Sequence, residues 1–329
     1  MNRRNFWVRS AATLAGLAAT GPAWARHSTR GLEPWLRRFK SFPGTTSFRI
    51  DVDRHELVSD GAGRQLFVAS AIKTFILCQY LRDVESGGLS EDEQLPVNDS
   101  VRTASSPVLL ELTGTTPARS ILEAMITHSD NTATDIALLR VGPERVRSFI
   151  AAHGLEATLI PESTRRFFSY NVGAPLGVDI GWSGVQGVLA SGHALGTPHR
   201  PLNDQETLAS SADDLVSYYK RALAGRFFEK RTTLTEFKRI LLTNSFFPDD
   251  TIGYGKGGSG DWVADATDVA DFHAISYAGQ MVVGRTPVTF CFVVNWTSVD
   301  PHGTSDDLIP AFVEVVKGSL EAVKQMLRR

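Results

Sequence analysis

The sequence predicts an α+β fold: an antiparallel five-stranded sheet, built from both chain ends and flanked by helices, with an inserted all-helical domain. Five stretches either alternate apolar and polar residues or are rich in β-branched and aromatic residues, as strands are: 47–53, 56–59, 252–259, 272–283 and 288–296. Between about residues 70 and 245, apolar residues recur every third or fourth position, which is typical of helices. Strands at both ends with helices between them indicate one sheet completed by the two termini.

The helices follow from the same periodicity. The first covers 32–40 and is ended by Pro43 and Gly44, and a longer one runs from Ser70 to about Glu85 before Gly87. Further helices are predicted at 117–127, 131–141, 143–153, 212–224, 235–243 and 306–327. We therefore assign 26–66 and 246–329 to the sheet domain, and 67–245 to the helical domain.

One region of the helical domain has no clear periodicity. Residues 155–206 contain seven glycines between positions 173 and 196, and we interpret them as a loop region. A loop of this length is uncommon in a compact domain unless it is functional or partly mobile.

The first 25 residues have the composition of an export signal. Arg3 and Arg4 precede a short apolar run, and Ala23 and Ala25 form a small-residue cleavage site. A membrane anchor is the alternative, but the run is too short to span a bilayer comfortably. The sequence thus predicts a twin-arginine signal peptide at 1–25, a periplasmic protein and no stable membrane insertion.

The bulk composition describes a soluble globular protein that is 42% apolar and 21% charged, with a formal net charge of -2. No cationic stripe is present, so nucleic acid is not an expected partner. Cys78 and Cys291 both lie in strongly apolar stretches, which favours buried free thiols over a disulfide, although an oxidising periplasm would permit pairing. We expect a monomer with a small-molecule substrate, no cofactor and no metal site.

The first chemical signal is Ser70 and Lys73, one helical turn apart at the head of the apolar stretch 67–77. On a helix both side chains share a face, so a serine nucleophile would lie beside an amine. The spacing alone is weak, because Ser217 and Lys220 repeat it within a predicted amphipathic helix.

Two further motifs follow in the chain. His128-Ser129-Asp130-Asn131 lies between two predicted helices, where its residues could simply cap a helix. Lys256-Gly257-Gly258-Ser259 lies on a predicted strand that glycine leaves almost bare, so a ligand could approach closely. A phosphate-binding loop is a poor alternative, because the glycine spacing is wrong and no helix follows.

In this order, the three motifs resemble those of the active-site serine enzymes that bind penicillin, and the chain resembles a class A β-lactamase. The resemblance covers nearly the whole chain after the signal. It implies that Ser70 is the nucleophile, that Lys73 accepts its proton, and that Ser129 passes a proton to the leaving nitrogen. A lysine crowded by a second lysine is more readily neutral.

The same resemblance implies the substrate-binding residues. Asn131 would bind the side-chain amide of the substrate, and Lys256 would attract its carboxylate. Gly258 allows close approach, and the amides of Ser70 and Ser259 would form the oxyanion hole.

The chain also departs from the family pattern. Class A enzymes have a Glu-x-x-Leu-Asn element whose glutamate activates the deacylating water. Here Glu162 is the carboxylate near that place, and it is either this base or an ion-pair partner of Arg165 or Arg166. Gly257 replaces a hydroxyl residue, and His273 either supplies a donor near the site or is structural. The chain between Ser129 and Lys256 is longer than expected, and we place the excess in the glycine-rich segment 173–201, which could reshape the pocket mouth.

The resemblance therefore predicts a serine hydrolase that opens a β-lactam ring through an acyl-Ser70 intermediate. The alternatives are a D-Ala-D-Ala peptidase or penicillin-binding protein, an esterase with the same Ser/Lys pair, and a β-lactam sensor that stays acylated.

Overall fold

A five-stranded antiparallel sheet forms the centre of the protein. The computed structural model describes residues 29–243, 246–263, 271–297 and 303–328. The strands of this sheet follow the spatial order β2-β1-β9-β8-β7, so the N-terminal hairpin pairs directly with the last strand of the chain. This confirms the predicted α+β class and the sheet built from both chain ends.

The strands comprise five long ones in the main sheet and two short pairs. They are β1 (Thr45–Val52), β2 (His55–Asp60), β3 (Leu66–Phe67), β4 (Gln94–Val97), β5 (Gly114–Pro117), β6 (Ala209–Ser210), β7 (Ile252–Trp262), β8 (Phe272–Val283) and β9 (Thr286–Thr297). The short strands pair as β3 with β6 and β4 with β5. Strand β7, which carries Lys256, Gly258 and Ser259, lies at an edge of the main sheet.

The helices alternate with these strands mainly in the middle of the chain. They are α1 (Glu33–Lys40), α2 (Lys73–Glu85), α3 (Ala118–Thr127), α4 (Asn131–Val141), α5 (Pro143–Ala152), α6 (Thr164–Asn171), α7 (Gly181–Ser191), α8 (Ala212–Leu223), α9 (Arg231–Leu241) and α10 (Ser305–Arg328). Short 3-10 turns at Thr29–Gly31 and Ala69–Ile72 complete the described elements.

Each face of the sheet borders its own apolar core. Helices α1 and α10 cover one face, where Phe39 contacts Phe48, Phe292 and Phe312 edge to face. Helix α8 lies on the other face, and its core continues into the helical part of the molecule. Helix α8 falls within residues 67–245 and yet packs on the sheet. The predicted division of the chain into two domains at 66 and 246 stays a prediction.

The structure corrects two features of the predicted helical region. Residues 155–206 contain α6 and α7, so they are not a loop without helices. Helix α9 begins at Arg231 instead of residue 235, because the Glu85 carboxylate accepts the backbone N–H groups of Glu229 and Lys230 just before the helix. Both corrections arise from contacts with residues distant in sequence, which local periodicity does not record.

Other expectations concern the chain ends and the cysteines. The predicted signal peptide lies outside the described residues. Within the described ranges, no helix is long and apolar enough to cross a membrane. Cys78 and Cys291 are buried free thiols, as expected, and burial raises the pKa of the Cys78 thiol to about 12.

Candidate active site

Ser70 lies in a tight turn between the sheet and helix α2. The 3-10 turn Ala69–Ile72 contains it, and α2 begins only at Lys73, so the predicted helical start at Ser70 is wrong by one turn. Ala69 has a φ of 48°, a left-handed conformation that is costly for a residue with a Cβ. Such strain is found preferentially at functional sites, where surrounding contacts maintain it.

Those contacts come from the sheet. The side-chain amide of Asn295 on β9 donates to the Phe67 carbonyl at 2.9 Å and accepts the Phe67 N–H at 2.9 Å. On β8, the Ser276 hydroxyl donates to the Val68 carbonyl at 2.7 Å. The chain entering the turn is therefore held by two buried polar side chains of the sheet, which explains how Ser70 keeps a defined position.

Lys73 lies just behind Ser70 and is fully buried. Its Nζ is 2.5 Å from the Ser129 carbonyl oxygen, 2.7 Å from Asn131 Oδ1 and 3.3 Å from Ser129 Oγ. Burial lowers the pKa of Lys73 well below its ordinary value, and the charge of Lys256 lowers it further. A neutral amine has two hydrogens, which the two short bonds occupy, so its lone pair can accept a proton from a serine hydroxyl.

Ser129 lies between two amines. Lys256 Nζ donates to Ser129 Oγ at 3.0 Å and to the Gly257 carbonyl at 2.7 Å. Burial lowers the pKa of Lys256 to about 7, so this amine exchanges its proton near neutral pH. A hydroxyl that touches both amines can pass a proton from one side of the site to the other.

The loop that carries Ser129 is anchored by its neighbour. Asp130 is buried, and its carboxylate accepts the N–H groups of Ala133, Val108 and Leu109 at 2.7–2.9 Å. It thereby caps α4 and joins that helix to the connection between β4 and β5. Asn131 Nδ2 donates to the Ala104 carbonyl at 3.0 Å. The capping interpretation of this motif is therefore correct for Asp130, while Ser129 contacts both lysines and Asn131 contacts Lys73.

Strand β7 approaches the Ser70 turn so closely that only glycine fits at position 258. A Cβ on Gly258 would lie 2.5 Å from the Ser70 amide nitrogen and 2.5 Å from the Val68 carbonyl oxygen. The next residue, Ser259, is exposed on the strand edge. The backbone of β7 thus lies against the Ser70 N–H, which is the placement that two oxyanion-binding amides require.

These groups border a cavity of about 1000 Å³. Of the residues predicted from sequence, it brings together Ser70, Ser129, Asn131, Lys256, Gly258 and Ser259. Lys73 lies directly behind this wall. Among the residues that the structure describes, Asp261 is the single carboxylate on the wall, and no group of three or more His, Cys, Asp or Glu residues could hold a metal.

Comparison with known proteins identifies the family. A model of the beta-lactamase enzyme family matches residues 32–255, about two thirds of the chain. The chain belongs to this beta-lactamase enzyme family. The match includes Ser70, Lys73 and Ser129 and ends one residue before Lys256. No curated protein matches the chain.

Solved structures share the fold at low sequence identity. A β-lactamase from Sphaerobacter thermophilus is 15% identical, with 90% of this chain and 96% of that chain covered and a TM-score of 0.67. The protein PBP-A is 17% identical, with 90% and 97% covered and a TM-score of 0.65. A β-lactamase from Xanthomonas campestris is 15% identical, with 91% and 97% covered and a TM-score of 0.65. At these identities the likeness concerns the fold.

In this beta-lactamase family member, Glu162 does not occupy the place predicted for a deacylating base. Its carboxylate accepts from Arg147 Nη1 at 2.7 Å, and it does not line the cavity. The predicted arginine partner of Glu162 was Arg165 or Arg166, whereas the structure shows Arg147 on α5. Arg165 in fact pairs with Asp179, and Arg166 pairs with Glu206.

Helix α6 supplies the wall where Glu162 was expected, through Thr164, Phe167 and Asn171. The helix is attached to α4 because the Asp135 carboxylate accepts the N–H and hydroxyl of Thr164 at 2.6 and 2.7 Å. Burial raises the pKa of Asp135 to about 6. Asn171 Nδ2 donates to the carbonyls of His199 and Val263, both at 2.7 Å, so its amide hydrogens hold the wall in place.

Of the two roles considered for His273, a donor near the site or a structural residue, the structure supports the structural one. Its Nδ1 is 2.6 Å from Asp261 Oδ1, and the ring is buried and lies off the cavity wall. Asp261 also accepts the N–H of Ser305 at 2.8 Å and its hydroxyl at 3.0 Å. These bonds join the end of β7 to β8 and to the start of α10.

Sequence reasoning missed several residues of the site. Asp261 and Trp262 line the cavity only because β7 extends beyond its predicted end at residue 259. Asn295 and Ser276 support the Ser70 turn from other strands. Ser276 is a polar residue between apolar neighbours on a predicted strand, and this was the one signal available for it. No local pattern marks Asn295.

Proposed function

We propose that the protein is acylated at Ser70 by β-lactams and related acyl amides, and that it releases the acyl group slowly, as a penicillin-binding protein does. The observation that carries this proposal is the position of Ser129 Oγ between two buried amines, Lys73 and Lys256, beside the Ser70 turn. The family match and the solved relatives support acyl transfer as the class of reaction.

Acylation would proceed as follows. The Ser70 oxygen attacks the carbonyl carbon while its proton moves to the neutral amine of Lys73. The carbonyl oxygen takes the negative charge and is bound by the amides of Ser70 and Ser259, an interaction worth roughly 3 to 4 kcal/mol per donor in comparable enzymes. Ser129 then gives its proton to the leaving nitrogen as the carbon–nitrogen bond breaks. Ser129 regains a proton from Lys73, which took up the Ser70 proton in the first step.

Slow release follows from the wall of α6. A general base must lie within hydrogen-bond reach of the attacking water. Thr164, Phe167 and Asn171 border this part of the cavity, and none of them takes up a proton near neutral pH. Asp261 lies three residues along β7 from Gly258, which corresponds to roughly 10 Å of strand, too far for one bridging water.

We expect a stable adduct of one penicillin per chain, measured by intact mass spectrometry after mixing with benzylpenicillin. Peptide mapping should place the added mass on the peptide that contains Ser70. The lifetime of the adduct should be much longer than the time that a β-lactamase needs for one catalytic cycle. Glu162→Gln should leave its lifetime unchanged, because that carboxylate is bound by Arg147.

A β-lactamase with rapid turnover is the second candidate, and the β-lactamases among the solved relatives favour it. The same experiment separates the two: a transient adduct with accumulating hydrolysed product would favour turnover. A modified peptide lacking Ser70 would contradict both. A shortened or lengthened adduct in Glu162→Gln would return Glu162 to the mechanism.

The rate of acylation by carboxylate-bearing β-lactams should fall as the pH rises through about 7. The Lys256 amine, whose pKa is lowered to about 7, is charged below this pH and attracts the substrate anion, and it becomes neutral above it. The measurement is the second-order rate constant of adduct formation between pH 5.5 and 9. In Lys256→Arg the guanidinium stays charged, so the fall near pH 7 should disappear; an identical fall would assign it to another group.

The proposed place of action is the periplasm. The arginine pair and the small-residue site within residues 1–25 support export by the twin-arginine route.

A further inference from the structure

The groove along β7 has two chemically different ends. Lys256 and Ser129 lie at one end, where the leaving group and its carboxylate would bind. From there the strand passes Gly258, which lies against Ser70, and ends at Trp262, directly before Val263. At this second end, Asn171 on α6 donates to the Val263 carbonyl at 2.7 Å. An acyl group attached to Ser70 that runs along β7 away from Lys256 would extend toward α6 and the chain that follows it.

Residues 173–196 follow α6 and form a loop that contains α7 and whose two ends lie close together. We call it the α7 loop. Its ends meet where the Leu195 N–H donates to the Val172 carbonyl at 2.8 Å. Gly173 and Gly196 also touch, since a Cβ on Gly173 would lie 2.6 Å from the Gly196 carbonyl carbon. Arg165 further holds the loop through its bonds to Asp179 at 2.7 Å. Helix α7 is thus a fixed part of the wall.

The face that α7 turns to the cavity is apolar. Val188 and Leu189 line the cavity, as do Phe168 on α6 and Val172 directly after that helix. His193, just beyond the end of α7, also lines it. Asp179 is the single acidic or basic residue in the range 173–192, and it is paired with Arg165. Leu189 is nevertheless 57% exposed, so an apolar surface at the second end of the groove is available for a ligand to cover.

We propose that α7, through Leu189, forms an apolar subsite which selects acyl donors with a long apolar acyl side chain, such as a medium-chain alkanoyl group. This inference rests on the proposed acylation at Ser70 and names the substrate class of that site. Val188 is already buried, so the surface that a ligand would cover is that of Leu189. Covering Leu189 removes apolar surface from water, which favours each added methylene of the substrate. A polar or very small acyl group gains nothing from this wall.

The test compares the acetyl and octanoyl amides of 6-aminopenicillanic acid, which share all groups except the alkyl chain. Binding is measured by isothermal titration calorimetry on full-length Ser70→Ala, which cannot be acylated. We expect the octanoyl amide to bind at least about tenfold more tightly than the acetyl amide. In Ser70→Ala/Leu189→Ser this preference should fall by roughly three- to tenfold.

Leu176→Ser in the same Ser70→Ala background is the matched control. Leu176 belongs to the same loop and is 54% exposed, but it does not line the cavity, so the preference should persist. Equal affinity for the two amides, or an equal loss of preference in both leucine variants, would overturn the subsite. Acylation is scored separately: if intact chain forms no adduct with either amide, the proposed function fails, while the ratio of affinities still decides the subsite.

Discussion

Lys73→Met is expected to slow acylation of Ser70 by roughly 10² to 10⁴-fold, the usual contribution of a positioned general base. Methionine keeps the length and the buried position of the side chain, but its thioether is only a weak acceptor and is not basic enough to take up the serine proton. Burial lowers the pKa of Lys73 well below its ordinary value, which favours the neutral amine that methionine replaces. The measurement is the rate of adduct formation with benzylpenicillin, followed by mass spectrometry.

The chain offers a matched control in Lys220→Met, which removes the lysine of the second Ser-x-x-Lys pair. Lys220 Nζ lies 2.8 Å from the buried Asp51 carboxylate and does not line the cavity. This control should lower the melting temperature, because a buried carboxylate loses a partner, and should leave the acylation rate of the folded protein unchanged. Acylation of Lys73→Met within tenfold of the parent chain would refute the role of Lys73 as base.

The fold was largely predictable because its main elements have one buried face. Alternation in residues 47–53 and the β-branched run at 288–296 predicted β1 and β9, which pair with each other in the structure. Helices α6 and α7 were not predicted, and for α7 the reason is its glycine content. Helix α7 contains Gly181, Gly184 and Gly187, which lower intrinsic helix propensity, so tertiary contacts must stabilise it.

The main residues of the site were predictable because they belong to short sequence motifs. Ser70, Ser129 and Lys256 converge on one cavity although they lie far apart in the chain. The direction of a single side chain was not predictable in the same way. Glu162 faces Arg147, a residue on α5, and no pattern around position 162 records that partner. The charge balance between Lys73 and Lys256 likewise depends on burial, which only the assembled fold determines.

Gly258→Ala is expected to lower the acylation rate by roughly 10² to 10³-fold, the cost of losing one oxyanion-binding amide. The added methyl would lie 2.5 Å from two backbone atoms, the Ser70 nitrogen and the Val68 oxygen, and neither can rotate away. Strand β7 must therefore move away from the Ser70 turn, which separates the amides of Ser70 and Ser259. The same overpacking should reduce the free energy of unfolding by roughly 1 to 3 kcal/mol, measured by urea denaturation.

Gly187→Ala is the control that distinguishes this close approach from a general effect of replacing glycine. Position 187 lies within α7, and a Cβ there meets no atom within 4 Å. Alanine should raise the free energy of unfolding by up to about 1 kcal/mol through helix propensity and leave the acylation rate with benzylpenicillin unchanged. If Gly258→Ala is acylated at the parent rate, β7 does not hold the oxyanion site. If it unfolds before its rate can be measured, the adduct yield at low temperature, where the folded fraction is known from circular dichroism, decides the same question.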